Sequence, residues 1–276
     1  MHEMKKILIV AILILTCIRI SAQVGDIFRE NSIHYGDNFP AGKYLNIRGV
    51  NLYFETYGQG EPLLLIHGNG GSIASFQNQI PFFSARYKVI AVDSRAQGKS
   101  TDTGDSLTFE MMADDFSTLL DSLHLDSCYI IGWSDGGING LMLAMRHPEK
   151  VRKLAITGAN LWPDTTAISP VDFNWMTKAY KDLEQEQQTP EIKNTRKLIR
   201  LDLTEPHITR DQLQIINCPT LVIAGDHDII QTGHTVYIAE SIRGSNLFIV
   251  PGSGHSTLID KKDLFNRVVL EFFEKK

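Results

Sequence analysis

Cysteine is scarce in this chain: three residues in 276, with no CxxC pair. That excludes a disulfide framework and a structural zinc site built from paired cysteines. Positive charge is not in surplus either. The 27 Lys and Arg stand against 32 Asp and Glu, a formal net charge of -5, so nothing favours wrapping a phosphate backbone, and nucleic acid is excluded as a partner. A nucleotide-binding P-loop and a His/Cys ligand cluster are also missing, so neither a cofactor nor a metal is expected. The apolar run from Ile7 to Ile18 falls short of the roughly 20 residues that span a bilayer.

That run follows a basic start, Lys5 and Lys6, and precedes the small-residue stretch Ile20-Ser21-Ala22. The order is that of a secretory signal peptide. Residues 1–22 are therefore predicted to be removed after Ala22, with the mature chain exported to the periplasm or outside the cell and holding no membrane span. Removal takes away Lys5, Lys6, Arg19 and Glu3 and leaves 24 cations against 31 anions. Cys128 and Cys218 remain, each opening an apolar strand-like run, and are expected as small buried thiols without a bridge.

What is present is a core-forming composition, 43% hydrophobic and 21% charged, arranged as strands alternating with helices. Residues 44–58 read as a hairpin around Gly49 and Asn51. Short apolar runs follow at 62–67, 87–93, 128–132, 153–158, 220–225 and 246–250, each apolar throughout, as strands buried on both faces must be. Helix-like segments occupy 74–84, 109–123, 135–147, 232–242 and 261–274. The alternation predicts an α/β fold, a mostly parallel doubly wound sheet. Residues 161–217 interrupt the rhythm with further helix-like stretches and are read as a small helical cap over the sheet's C-terminal edge, inserted between core segments 23–160 and 218–276.

Chemistry collects on the loops after the strands. Gly132-Trp133-Ser134-Asp135-Gly136 lies between a strand and a helix, the place of a nucleophile elbow that presents Ser134 Oγ. A serine hydroxyl needs a base to take its proton and a third group to orient that base. His255, in Gly254-His255-Ser256 after the last apolar run, is the best placed of nine histidines. The acid is Asp226 or Asp228, and spacing alone does not separate them. An oxyanion would meet the N–H of Asp135 and one from the glycine-rich loop His67-Gly68-Asn69-Gly70-Gly71-Ser72, assigned to Asn69 with Gly70 as the fallback. His67 is expected to serve as a structural hydrogen-bonding residue. Trp133, Trp162, Phe173, Trp175 and Tyr180 are candidates to line an acyl or leaving-group pocket, with packing of cap on core as the competing role.

Together the HG loop at 67–68, the segment Asp93-Ser94-Arg95-Ala96-Gln97-Gly98-Lys99-Ser100, the elbow, Gly225-Asp226-His227-Asp228 and Gly252-Ser253-Gly254-His255-Ser256 resemble the α/β-hydrolase superfamily over nearly the whole chain from about Lys43 to Phe273. Ala96 stands where that superfamily usually has glycine. The resemblance implies Asp228 as the acid, since the family's acid commonly lies three residues after the strand-ending glycine, and leaves Asp226 to support the turn. Around Gly132–Gly137 and Gly158-Ala159-Asn160 the chain is similar to the valacyclovir hydrolase branch, which cleaves α-amino acid esters. This implies that Asp135 pairs with a substrate ammonium. The expected activity is hydrolysis of a small acyl compound, a carboxylic ester with α-amino acid esters and small amides within the class, by a Ser-His-Asp triad. Two alternatives stay open: a cofactor-free perhydrolase or carbon-carbon hydrolase or lyase on the same triad, and a non-catalytic small-molecule-binding protein on the same scaffold.

Overall fold

The computed structural model describes residues 33–275; the signal-peptide reading of residues 1–22 lies outside them. Eight strands form one sheet: β1 Gly42–Ile47, β2 Val50–Tyr57, β3 Glu61–Ile66, β4 Tyr87–Val92, β5 Cys128–Trp133, β6 Val151–Thr157, β7 Thr220–Gly225 and β8 Asn246–Val250. Their spatial order is β1-β2-β4-β3-β5-β6-β7-β8. The first two are the predicted hairpin, with Ile47 opposite Val50. Arg48 and Gly49 close it, both at positive φ, the backbone that a two-residue turn requires to match the strands' twist. β2 meets β4 antiparallel, and every pairing from β4 to β8 is parallel.

The continuous apolar runs divide by alternation into two cores, because successive side chains on a strand face opposite sides. Leu64, Ile66, Ile90, Val92, Ile130, Leu154, Ile156 and Val222 join one cluster with α1 (Phe109–Ser122) and α2 (Asp135–Arg146). Leu63, Leu65, Val89, Ala91, Ile131, Leu221 and Ile223 join the other, against α6 (Lys262–Glu274) through Phe265, Val269 and Phe273. A sheet covered on both faces leaves its strand ends as the open ground for a site. The expected helix at 74–84 is instead two short turns, Ile73–Phe76 and Ile80–Phe83. Pro81 has no N–H to continue the first, so the second restarts with proline in its opening turn.

Between β6 and β7 lie α3 (Pro170–Glu184) and α4 (Pro190–Thr204), where the sequence predicts a cap. The Thr189 side chain caps α4 by accepting from Ile192 N, and Pro190 follows at the first helical position. α4 lies across loops at the C-terminal ends of β3 and β4: its Leu198 carbonyl accepts from Asn69, and its Asn194 side chain donates to Ala96 O. After β7 comes α5 (Thr232–Ser241). The two cysteines among the described residues are free thiols; Cys128 is buried and Cys218 half-buried.

Candidate active site

Ser134 sits between the end of β5 and the start of α2 with φ 55° and ψ -120°. A non-glycine residue at positive φ is sterically costly and is held only when the surroundings over-determine it. Here they do: Ser134 N donates to Thr157 O across to β6, and Ser134 O accepts from Gly137 and Ile138 as α2 begins. α2 runs so close to β3 that a Cβ on Gly136 would lie 1.8 Å from Ile66 O. Glycine is therefore obligatory there.

The last three strands bring the partners. Ser134 Oγ donates to His255 Nε2 at 3.0 Å, and His255 Nδ1 donates to Asp228 Oδ1 at 2.6 Å. Asp228 leaves β7 through a turn in which its Oδ1 also accepts from Ile230 N at 2.9 Å, and its side chain is fully buried. Asp226 faces outward, accepting from His227 Nδ1 at 2.7 Å and Ser253 N at 3.2 Å. It braces the turn, and the histidine's partner is Asp228. Gly158, at the end of β6 with φ 67°, lies beside the imidazole: a Cβ there would come 2.7 Å from His255 Cε1. Trp133 donates its indole N–H to His255 O at 2.9 Å. The histidine is thus fixed on its ring nitrogens, along its ring edge and at its backbone.

His67 is buried, donating from Nδ1 to Gly68 O at 2.7 Å and accepting at Nε2 from Ser94 N at 3.0 Å. Burial pushes its pKa down and keeps it neutral. It ties the β3 loop to the β4 loop, the structural part expected of it. In the same loop, Gly70 N donates to Gln97 Oε1 at 2.7 Å, which removes Gly70 as a free amide donor. The amides of Asn69 and Asp135 donate to no backbone acceptor among the described residues.

The Asn69 side chain has work of its own that the sequence did not announce. Its Nδ2 donates to Asp135 Oδ2 at 3.0 Å, Asp202 Oδ1 at 3.0 Å and Leu198 O at 3.1 Å. Asp135 is buried and its pKa is pushed up to about 6, chiefly by loss of solvent, against the pull of Asp202 and Asn69. Asp202, delivered by α4, is held well above the ordinary carboxylate range by burial and by the charge of Asp135. Both carboxyls accept from the one Asn69 Nδ2, and burial together with their mutual charge favours the protonated form of Asp202 more than that of Asp135. Asn69 therefore joins Asp135, the residue after Ser134, to Asp202 of α4. Asp202 was missed because the stretch around it reads only as an amphipathic helix and its partners lie far away in sequence.

The aromatic candidates separate. Trp133 touches His255, with ring centroids 6.0 Å apart. Trp162 donates to Thr166 Oγ1 and packs edge-on against His234 at 4.5 Å and Tyr237 at 5.7 Å. Phe173 joins a small cluster with Ala167, Ile168 and Ile230, Tyr180 lies against Arg196, and Trp175 is 53% exposed on α3. Packing, the competing role, accounts for Trp162 and Phe173, while Trp175 faces solvent.

A family profile described as alpha/beta hydrolase fold matches residues 61–203. The protein of Mus musculus named serine hydrolase BPHL is 29% identical over 251 residues, covering 83% of this chain and 84% of its own. The 3-oxoadipate enol-lactonase 2 of Acinetobacter baylyi is 26% identical over 257 residues, covering 82% and 94%. Among solved structures, the esterase EaEST from Exiguobacterium antarcticum superposes with a TM-score of 0.72 at 22% identity, over 85% of this chain and 100% of that one.

Proposed function

Because this chain belongs to the alpha/beta hydrolase fold family and is a hydrolase, we propose that it cleaves small carboxylic esters through an acyl-enzyme on Ser134. The observation that carries this reading is the unbroken hydrogen-bond chain from Ser134 through His255 to the buried Asp228. Ser134 Oγ attacks the ester carbonyl while His255 Nε2 takes its proton, and Asp228 holds the imidazole in the tautomer that leaves Nε2 free to accept. The carbonyl oxygen gains charge between the N–H groups of Asn69 and Asp135. As the C–O bond breaks, His255 returns the proton to the departing alkoxide. Water then attacks the acyl carbon, gives its proton to His255 and releases the acid, and the proton returns to Ser134.

A narrower substrate class is favoured by the carboxyl pair. Asp135, the residue after Ser134, and Asp202 both accept from Asn69 Nδ2, and an ammonium group on the α-carbon of the acyl portion would meet these carboxyls in charge-assisted hydrogen bonds. We therefore place α-amino acid esters first among the substrates. The resemblance to the mouse serine hydrolase BPHL supports the serine nucleophile on which this reading rests.

One experiment tests both levels. The full chain, Ser134→Ala and Asp135→Ala are each assayed on an α-amino p-nitrophenyl ester and on its N-acetyl counterpart, with a fluorophosphonate as the covalent label. The wild type is expected to release a burst of p-nitrophenol and to be labelled at Ser134, and Ser134→Ala to lose roughly 10⁴–10⁶ in kcat. Asp135→Ala is expected to lose about one to two decades in kcat/KM on the free amine alone. Labelling elsewhere overturns the nucleophile; equal losses on both esters overturn ammonium recognition and leave a general carboxylesterase.

A further inference from the structure

α4 carries four cations at one helical spacing: Lys193, Arg196, Lys197 and Arg200 fall at i, i+3, i+4 and i+7, a single face. That face lines a cleft of about 580 Å³, walled on the other side by residues 102–105 and closed by Tyr180 and Pro190. Ser134, Asp228 and His255 do not line it. In a chain of net charge -5, such a concentration of positive charge is local.

The accounting of partners leaves part of that charge uncompensated. Lys197 is buried, donating to Gly104 O at 2.7 Å and facing Asp102 Oδ2 at 3.4 Å. Asp102 is also 3.9 Å from Arg95, so it already faces two cations. Arg196 pairs with Glu184 at 2.7 Å and stacks over Tyr180, yet its buried Nε–H has no acceptor. Arg200 donates to the neutral carbonyl of Asp105 at 2.6 Å and faces no carboxylate within ion-pair distance among the described residues. Lys193 is exposed and carries no ion pair among the described residues. Only Asp105 remains on the wall as a carboxylate outside these pairs. Buried N–H groups without acceptors and cations without counter-charges are both costs that a bound anion would relieve.

We propose that this cleft binds a small dianion, a phosphate or a dicarboxylate, whose oxygens bridge Lys193 and Arg200 and accept from Arg196. Lys193 and Arg200 are about 10 Å apart along the helix axis, and side chains of their length reach inward to a ligand of two to four carbons or a single phosphoryl group. An anion so placed ties α4 to the 102–105 loop. α4 also supplies Asp202 and the Leu198 carbonyl to Asn69, so occupancy of the cleft steadies the cap above the nucleophile. The site is independent of which ester the enzyme cleaves.

The test uses inorganic phosphate and succinate as separate ligands, titrated at constant ionic strength against chloride, with heat of binding and melting temperature as readouts. The protein is the full chain, compared with Lys193→Gln, Arg200→Gln and the double variant, all at exposed positions away from the catalytic groups. Saturable binding to the wild type, weakened at least about tenfold in the double variant, is expected. Binding of phosphate alone identifies a phosphoryl site, and binding of succinate alone a dicarboxylate site. Absence of saturable binding for both anions, or equal binding by the wild type and the double variant, overturns the proposal. Because the readouts do not involve ester turnover, failure here leaves the catalytic reading untouched, and failure of that reading leaves this one standing.

Discussion

Every residue of β7 is buried, whereas no residue of α3 is. The two segments stand for two ways of holding a chain in place. The sheet is fixed by apolar side chains on both faces, a close-packed arrangement with little room to deform. The helix pair α3 and α4 is tied to the loops beside the sheet largely by polar contacts from α4: Asn194 on Ala96 O, Lys197 on Gly104 O, Arg200 on Asp105 O, and Asn69 reaching up to Leu198 O and Asp202. Its buried apolar contribution from α4 is Leu198 and Leu201. Segments with few buried apolar contacts open locally at low cost. Ser134, Asp228 and His255 all follow strands of the rigid part, and Asp202 alone comes from the adaptable one.

If that division holds, changes at the sheet edge must be severe and changes in the cap mild or conditional. The largest effect is expected at Asp228. Asp228→Asn should lower kcat on an activated ester by roughly 10⁴ through the wrong histidine tautomer, while Asp226→Asn, which alters only an outward-facing turn, should stay within a few-fold. Steady-state kinetics on variants of matching circular dichroism check this, and a larger loss for Asp226→Asn would reverse their roles.

Stability gives the next contrast. Leu65→Ala, at a fully buried position of β3, should cost about 2–5 kcal/mol in urea unfolding. Val171→Ala, 77% exposed on α3, should stay within about 0.5 kcal/mol. Comparable losses would mean that α3 shares the core's cooperativity and would break the comparison.

The smallest effect sharpens the junction between the two regions. Both carboxyls of the Asp135–Asp202 pair bind protons more tightly folded than unfolded. Their stabilising contribution is therefore complete below the ordinary carboxylate range and is lost as pH rises through about 6, the value for Asp135. Asp202→Asn removes that carboxyl's titration and supplies a permanent N–H donor. Thermal melts should show the variant gaining on the wild type by on the order of 1 kcal/mol between pH 5 and 8. An unchanged difference across that range would mean that the Asp202 carboxyl does not titrate there.

The sheet was legible because a strand buried on both faces cannot hide: 63–66, 89–92 and 221–224 have no polar residue to place outward. The elbow was legible for a related reason, since Gly132, Ser134 and Gly136 occupy a turn that admits few other residues. Less local facts were out of reach. Asp226 and Asp228 share one turn, and which of them meets His255 depends on where Ser253 N and Ile230 N fall, a matter of backbone path. Asp202 and Asn69 are joined across 133 positions with no periodicity to mark the pair. Trp162 and Trp175 could have lined a pocket or packed a cap on composition alone, and only their neighbours separate those roles.

The indole of Trp133 has a further use that follows from its place against His255. An imidazolium quenches indole fluorescence by accepting an electron from the excited ring, and a neutral imidazole does so weakly. Of the other tryptophans, Trp162 lies against His234, whose pKa is pushed down to about 4 by burial, so that histidine is neutral above pH 5. Trp175 has no histidine ring against it among the described aromatic contacts. The protein thus carries, in Trp133, a built-in optical reporter on the charge state of the His255 ring, readable in emission without label or substrate.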